Sequence, residues 1–132
     1  MRILCVEYLQ AVPGEFLNAA QSLRFEAAAM LNAVVDDLTE ISGVSVTVLL
    51  GNGVSTRLVS SSGLQLIPVQ DAEDLTRQLR SWCQRVDALL LIAPECRSIL
   101  TFLLHDLEQH APGTLRLLNL DSQRCRPPIR RT

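Results

Sequence analysis

Two carboxylates stand where an apolar run stops. Leu89-Leu90-Leu91-Ile92-Ala93 breaks at Pro94-Glu95, and Ile3-Leu4-Cys5-Val6 runs into Glu7-Tyr8. A short apolar run bounded by a breaker fits a strand covered on both faces, as in a parallel sheet. In open α/β sheets ligands bind outside the carboxyl ends of the strands. The two runs are therefore expected to aim Glu7 and Glu95 at one crevice, with Tyr8 and Pro94 beside them, where carboxylates can bind an amine. The plainer role for Glu95 is a cap at a helix N-terminus, stabilised by the helix dipole, and a carboxylate in that position takes it more often.

Other reactive side chains point to ordinary roles. Cys5, Cys83, Cys96 and Cys125 match neither a zinc site nor a Cys-x-x-Cys pair. Cys5 lies inside an apolar strand pattern and reads as a small buried hydrophobe. Cys96 follows Glu95 at an expected helix start, where the dipole favours thiolate and the neighbouring carboxylate opposes it. No histidine is close to it in sequence to act as its base. His105 and His110 are five residues apart on one expected helix, so they diverge, and helix faces hold ligand pairs at three or four. Asp36-Asp37 reads as a solvated helix face. Gly51-Asn52-Gly53 reads as a turn, because the Ser/Thr-rich segment after it lacks the helical period that a phosphate-binding loop requires. No catalytic, cofactor or metal ligand set is assigned.

All twelve basic residues of the 132-residue chain are arginine. A P-loop lysine, a Schiff-base lysine and the phosphate-gripping lysines of nucleotide-dependent ligases are excluded from this polypeptide. Residues 1–122 hold fourteen acids and eight arginines, whereas residues 123–132 hold four arginines and no acid. Arg124, Arg126, Arg130 and Arg131 could touch an acidic partner or nucleic acid, but a solvated tail is the favoured reading, and Pro127-Pro128 forbids a helix there. Nucleic acid is not expected as a partner. With 48% hydrophobic and 20% charged residues the chain is globular, and no apolar run is long enough to span a bilayer. Glu7 interrupts the apolar start that a signal peptide would need, so a cytoplasmic location without membrane contact is expected.

The elements that must position Glu7 and Glu95 follow from periodicity. Strands are expected over 2–6, 44–50, 64–69, 88–92 and 115–120. Leu9 to Gly14 is expected to be a loop. Leu23, Ala27, Met30, Leu31, Val34 and Leu38 form one stripe at helical period, with Asn18 or Ser22 as its cap, Met30 as core filler and Ser42-Gly43 at its end. Asp71 is expected to cap a second helix that buries Leu75, Leu79, Trp82 and Val86. A third helix should run from about Glu95 to Gln109. Strands alternating with helices predict an α/β domain with a mostly parallel sheet of about four to five strands and right-handed crossovers.

Three segments together resemble a family. Met1-Arg2-Ile3-Leu4-Cys5-Val6-Glu7-Tyr8, Leu23-Arg24-Phe25-Glu26-Ala27-Ala28-Ala29-Met30-Leu31 with Asp36-Asp37, and Leu91-Ile92-Ala93-Pro94-Glu95 with Ile99-Leu100 are similar to ATP-grasp proteins of the tyramine-glutamate ligase type. The resemblance covers residues 1–121, the pre-ATP-grasp domain, and leaves 122–132 as a basic, flexible tail. It implies a Rossmann-like three-layer domain whose Glu7, Tyr8, Pro94 and Glu95 line a substrate or interdomain crevice. An acyl phosphate would form there and meet an amine. Two features depart from the family pattern. Ala27 replaces a helical glycine, and Gln10-Ala11-Val12-Pro13-Gly14 replaces a more glycine-rich loop. Beyond Asp121 the family would continue into an Asp-Lys segment and nucleotide-binding domains.

The resemblance thus implies a chain that is not catalytic alone and has no cofactor of its own. ATP and Mg2+ would come only through ATP-grasp domains absent from this sequence. Whether the chain is truncated or free-standing stays open at this point. The expected partners are ATP-grasp catalytic domains or a second copy, the latter making the chain a dimerisation module. A small independent enzyme using Cys96 or Glu95 ranks last, since no base or metal is placed to serve it.

Overall fold

The computed structural model describes residues 1–16, 21–93 and 98–118, without the side chains of residues 15 and 16. Five strands form one sheet in the order β3-β2-β1-β4-β5, and every pairing is parallel. They are β1 (Arg2–Glu7), β2 (Ser45–Gly51), β3 (Leu64–Val69), β4 (Ala88–Ile92) and β5 (Arg116–Leu117). The helices are α1 (Tyr8–Ala11), α2 (Gln21–Thr39), α3 (Ala72–Cys83) and α4 (Ile99–His110), with a 3-10 turn at Pro13–Phe16.

The two continuous apolar runs became central strands because both of their faces are covered. On one face α2 lays Leu31 and Val35 over Ile3, Cys5, Val46 and Val48. On the other, α3 and α4 pack Leu75, Leu79, Leu103 and Leu107 against Leu4, Val6, Leu49, Leu89 and Leu91. Three layers result. Each fully buried leucine or valine contributes roughly 1.5–3 kcal/mol relative to exposure, and Leu4, Leu49, Leu75, Leu79, Leu89 and Leu91 are all in that class.

The link from β2 to β3 has no helix. Residues 52–63 cross in irregular conformation, with Leu58 buried as their plug in the α2-side core. An exposed Arg57–Asp36 ion pair fastens this link to α2. The edge strand β3 carries Pro68, whose carbonyl accepts a hydrogen bond from Gln78 Nε2 of α3 at 2.9 Å. Proline belongs on an edge strand because it has no N–H for a ladder. Across the α3/α4 pair, Arg80 Nε donates to Asp106 at 3.0 Å and Gln84 Nε2 to the His110 carbonyl at 2.6 Å.

Several expectations are corrected. The segment after β1 is not a plain loop but α1 followed by the 3-10 turn, because Glu7 caps a helical turn there. The buried face of α2 is Ala27, Leu31 and Val35, not the wider stripe. Leu23 and Met30 are 44% and 49% exposed, so Met30 is not core filler. The helix is apolar over a wider arc than the sheet can cover, and the surplus faces outward. Ser22 lies within α2 instead of capping it, and Asn18 lies outside the described residues. On α3 the deepest late residue is Cys83, fully buried, whereas Trp82 is only half-buried. The described part of α4 begins at Ile99, and β5 is two residues long, with residues 119 onward outside the description.

Candidate functional site

The strand order reverses between β1 and β4, since the chain leaves β1 toward β2 and leaves β4 toward β5. Diverging loops at such a switch point open a crevice outside the carboxyl ends. The two strands end level, with Glu7 in register with Ile92. Glu7 and Tyr8 therefore stand at the carboxyl end of β1, beside the switch point. Pro94 and Glu95, two and three residues past β4, lie outside the described residues, as does Cys96. The described chain resumes at Ser98 in the left-handed region, φ 57°. Such a conformation is costly for a non-glycine residue and clusters at functional sites.

Glu7 is buried, with 3% of its surface exposed. Its backbone is still extended, so its side chain turns back to cap α1, and Oε1 accepts the Gln10 N–H at 2.7 Å. Burial raises the carboxyl above its ordinary pKa, and the backbone N–H groups of Gln10 and Leu9 oppose this only in part. The group is thus a weak acid held under α1. Tyr8, the first residue of α1, is also buried and joins the α3-side core.

The wall above these residues rests on a close approach that the sequence reading did not anticipate. A Cβ on Gly51, at the end of β2, would lie 2.7 Å from Pro13 Cδ, 2.9 Å from Val54 Cγ2 and 3.0 Å from the Ala11 carbonyl oxygen. Only glycine lets the α1–Pro13 segment sit down on β2. In the sequence Gly51-Asn52-Gly53 signals the turn but not this approach, whose partners Ala11 and Pro13 lie far earlier in the chain. That turn is real: Gly53 has φ +82°, and the Asn52 N–H donates to the Val69 carbonyl at 2.8 Å. Its amides serve strand ends and no helix follows it directly, so it is not a phosphate cradle.

At the end of β3, Asp71 caps α3 by accepting the Asp74 N–H at 2.8 Å. Asp74 reaches back to the Gln70 N–H at 2.9 Å and also accepts from Arg77 and Gln78. These bonds, the Gln70 amide first, hold its carboxyl below the usual range. This is a capping arrangement that positions a helix, and it accounts for the buried charge. His105 and His110 are spent locally on α4, the first near Gln109 and the second against the Asp106 carbonyl. Among the described residues no group of three or more histidine, cysteine or acidic side chains could hold a metal ion. Among them also, no helix is long and apolar enough to cross a membrane.

Comparison with known proteins agrees with this architecture. The family model described as pre ATP-grasp 3 domain matches residues 44–115, from the residue before β2 to the residue before β5. The match includes the Leu91-to-Glu95 segment and leaves out β1, with Glu7 and Tyr8. No curated protein and no solved structure matches the chain. With more than half of its residues matched and a parallel, switch-point sheet beneath them, the chain belongs to the pre ATP-grasp 3 domain family.

Proposed function

We propose that this chain supplies one wall of the substrate crevice in an ATP-dependent carboxylate–amine ligase of the tyramine-glutamate ligase type. The observation that carries the reading is the placement of Glu7 and Tyr8 at the β1/β4 switch point of a pre-ATP-grasp domain. Glu7 supports the wall by fixing α1, which sits on Gly51. Pro94 and Glu95, which follow β4 in the sequence, are assigned to the same substrate-binding set. ATP and Mg2+ for the reaction are held by ATP-grasp catalytic domains, which supply the phosphate-gripping lysines that this lysine-free chain lacks. Glu95 is the carboxylate proposed to favour the amine substrate, since Glu7 is buried and committed to its cap, and the chain alone turns over no ATP.

The test is reconstitution. The chain is mixed with the ATP-grasp domains of such a ligase lacking their own preceding domain, and ADP release is followed with glutamate and tyramine. Association in sedimentation and amine-dependent ADP release are expected. Failure of both would overturn the reading.

A second reading, self-association, draws on a separate observation. Leu23, Phe25 and Met30 of α2 are 44%, 66% and 49% exposed, and Ile41 beyond it is 52% exposed. Leu23 and Met30, two turns apart, share one face of α2 and carry this reading, whereas Phe25 is turned away from them. Light scattering at twice the mass of one chain would support a dimer, and a monomer would remove it.

A further inference from the structure

At the amino-terminal edge of the sheet, opposite the crevice, lies an open groove of about 630 Å³, lined among others by Arg2, Ser60, Ser61, Ser62, Trp82 and Arg85. Its size suits a small molecule, for which sites of roughly 300–1,000 Å³ are usual. No carboxylate lines it. In a body with fourteen acids and eight arginines over residues 1–122, this is a local inversion of charge.

The arginines of the groove differ from their neighbours. Arg57, Arg77 and Arg80 are each paired with a carboxylate, of Asp36, Asp74 and Asp106 respectively. Arg2 and Arg85 have no carboxylate partner among the described residues. Asp87 is two residues from Arg85 in sequence, but its Oδ2 is taken by the Arg2 backbone N–H at 2.7 Å and it does not line the groove. Arg85 is held in place: its guanidinium lies 3.8 Å from the Trp82 ring centroid. A stacked guanidinium keeps its in-plane N–H donors free and loses little entropy when it binds.

We propose that this groove binds a phosphate-bearing small anion. Two guanidiniums match the several oxygens of a multiply charged phosphate better than a single carboxylate, and three consecutive serine hydroxyls add neutral donors. The site does not rest on the crevice reading. Arg2 and Ser45 begin their strands whereas Glu7 and Gly51 end them, so the two sites are separated by the length of a strand.

Trp82 is the only tryptophan of the chain, so its emission reports on the groove. The full chain is titrated at constant ionic strength, without magnesium, with sodium tripolyphosphate, ATP and adenosine, by fluorescence and calorimetry. Saturable binding of tripolyphosphate is expected, with no response to adenosine. Arg2→Gln and Arg85→Gln should each weaken it at least tenfold by calorimetry, and Arg77→Gln, on an exposed arginine elsewhere, should not. Equal affinity for tripolyphosphate and ATP would assign recognition to phosphate alone, and tighter ATP binding would name a nucleotide as its source. Absence of saturable binding, or affinity unchanged in both groove variants, would overturn the proposal.

Discussion

The Glu7 carboxylate accepts the Gln10 N–H at 2.7 Å while burial opposes its ionisation, so one group both caps α1 and resists its own charge. Its folded pKa lies above the unfolded value. The native state then holds its proton longer than the unfolded chain, and this group's contribution falls as pH rises from its ordinary value of 4.5 through the raised one. Glu7→Gln keeps an acceptor for Gln10 and removes the charge. It should raise the Tm at pH 7 and leave it unchanged below about pH 4, where both forms are neutral. Glu7→Ala loses the cap and should cost about 1 kcal/mol in chemical denaturation.

Asp74 behaves with the opposite sign. Its pKa is lowered by the Gln70 amide first and then by Arg77, so its stabilisation is present above the ordinary carboxylate value and is lost as pH falls through the lowered one. Asp74→Asn should therefore flatten the acid limb of a stability–pH curve. Asp74→Ala, which leaves the Gln70 N–H without its acceptor, should cost roughly 1–2 kcal/mol near neutrality.

Gly51→Ala should destabilise by about 1–3 kcal/mol, as overpacking does. The atoms its Cβ would meet include a proline ring carbon and a backbone oxygen, neither of which yields cheaply. Amide exchange should quicken in α1 and the Pro13–Phe16 turn, and stay unchanged in α4. A variant as stable as the parent would show that α1 does not rest on β2.

Burial pushes the thiols of Cys5 and Cys83 up to about 12. At pH 8 the thiolate fraction of each is then of the order of one in ten thousand. Brief iodoacetamide treatment followed by peptide mass mapping should leave both unmodified in the native chain and alkylate both in urea. Labelling of either one under native conditions would contradict its placement in the core.

How far the sequence could be read depended on which force set each feature. Apolar runs and capping residues act locally, and they located β3 at Leu64–Val69, β4 at Ala88–Ile92 and the Asp71 cap as the structure has them. The extent of burial on α2 is not local, since it depends on how much of that helix the sheet can reach, and so Met30 was misplaced. The Gly51 contact joins β2 to Pro13 and Ala11 some forty residues earlier, and no pattern within a window reveals such an approach. Glu7 was legible as a carboxylate at a strand end because the apolar run stops there. Its burial under α1 was not, because the following Gln-Ala-Val-Pro-Gly segment read as a loop. The arginine groove was equally hidden, since Arg2, Ser60 to Ser62 and Arg85 meet only once three elements have been assembled.

The outer side of β3 bears on how copies of this chain can meet. An exposed strand edge is an invitation to backbone pairing, which leads to domain swapping or fibrils. Here Pro68 offers no donor near the carboxyl end of that edge, and its carbonyl is already held by Gln78. A foreign strand would find neither half of a hydrogen-bond pair at that point. Continuation of the sheet past β3 is therefore disfavoured at that point. Removing both guards, as in Pro68→Val with Gln78→Ala, would turn a well-behaved edge into a template for aggregation.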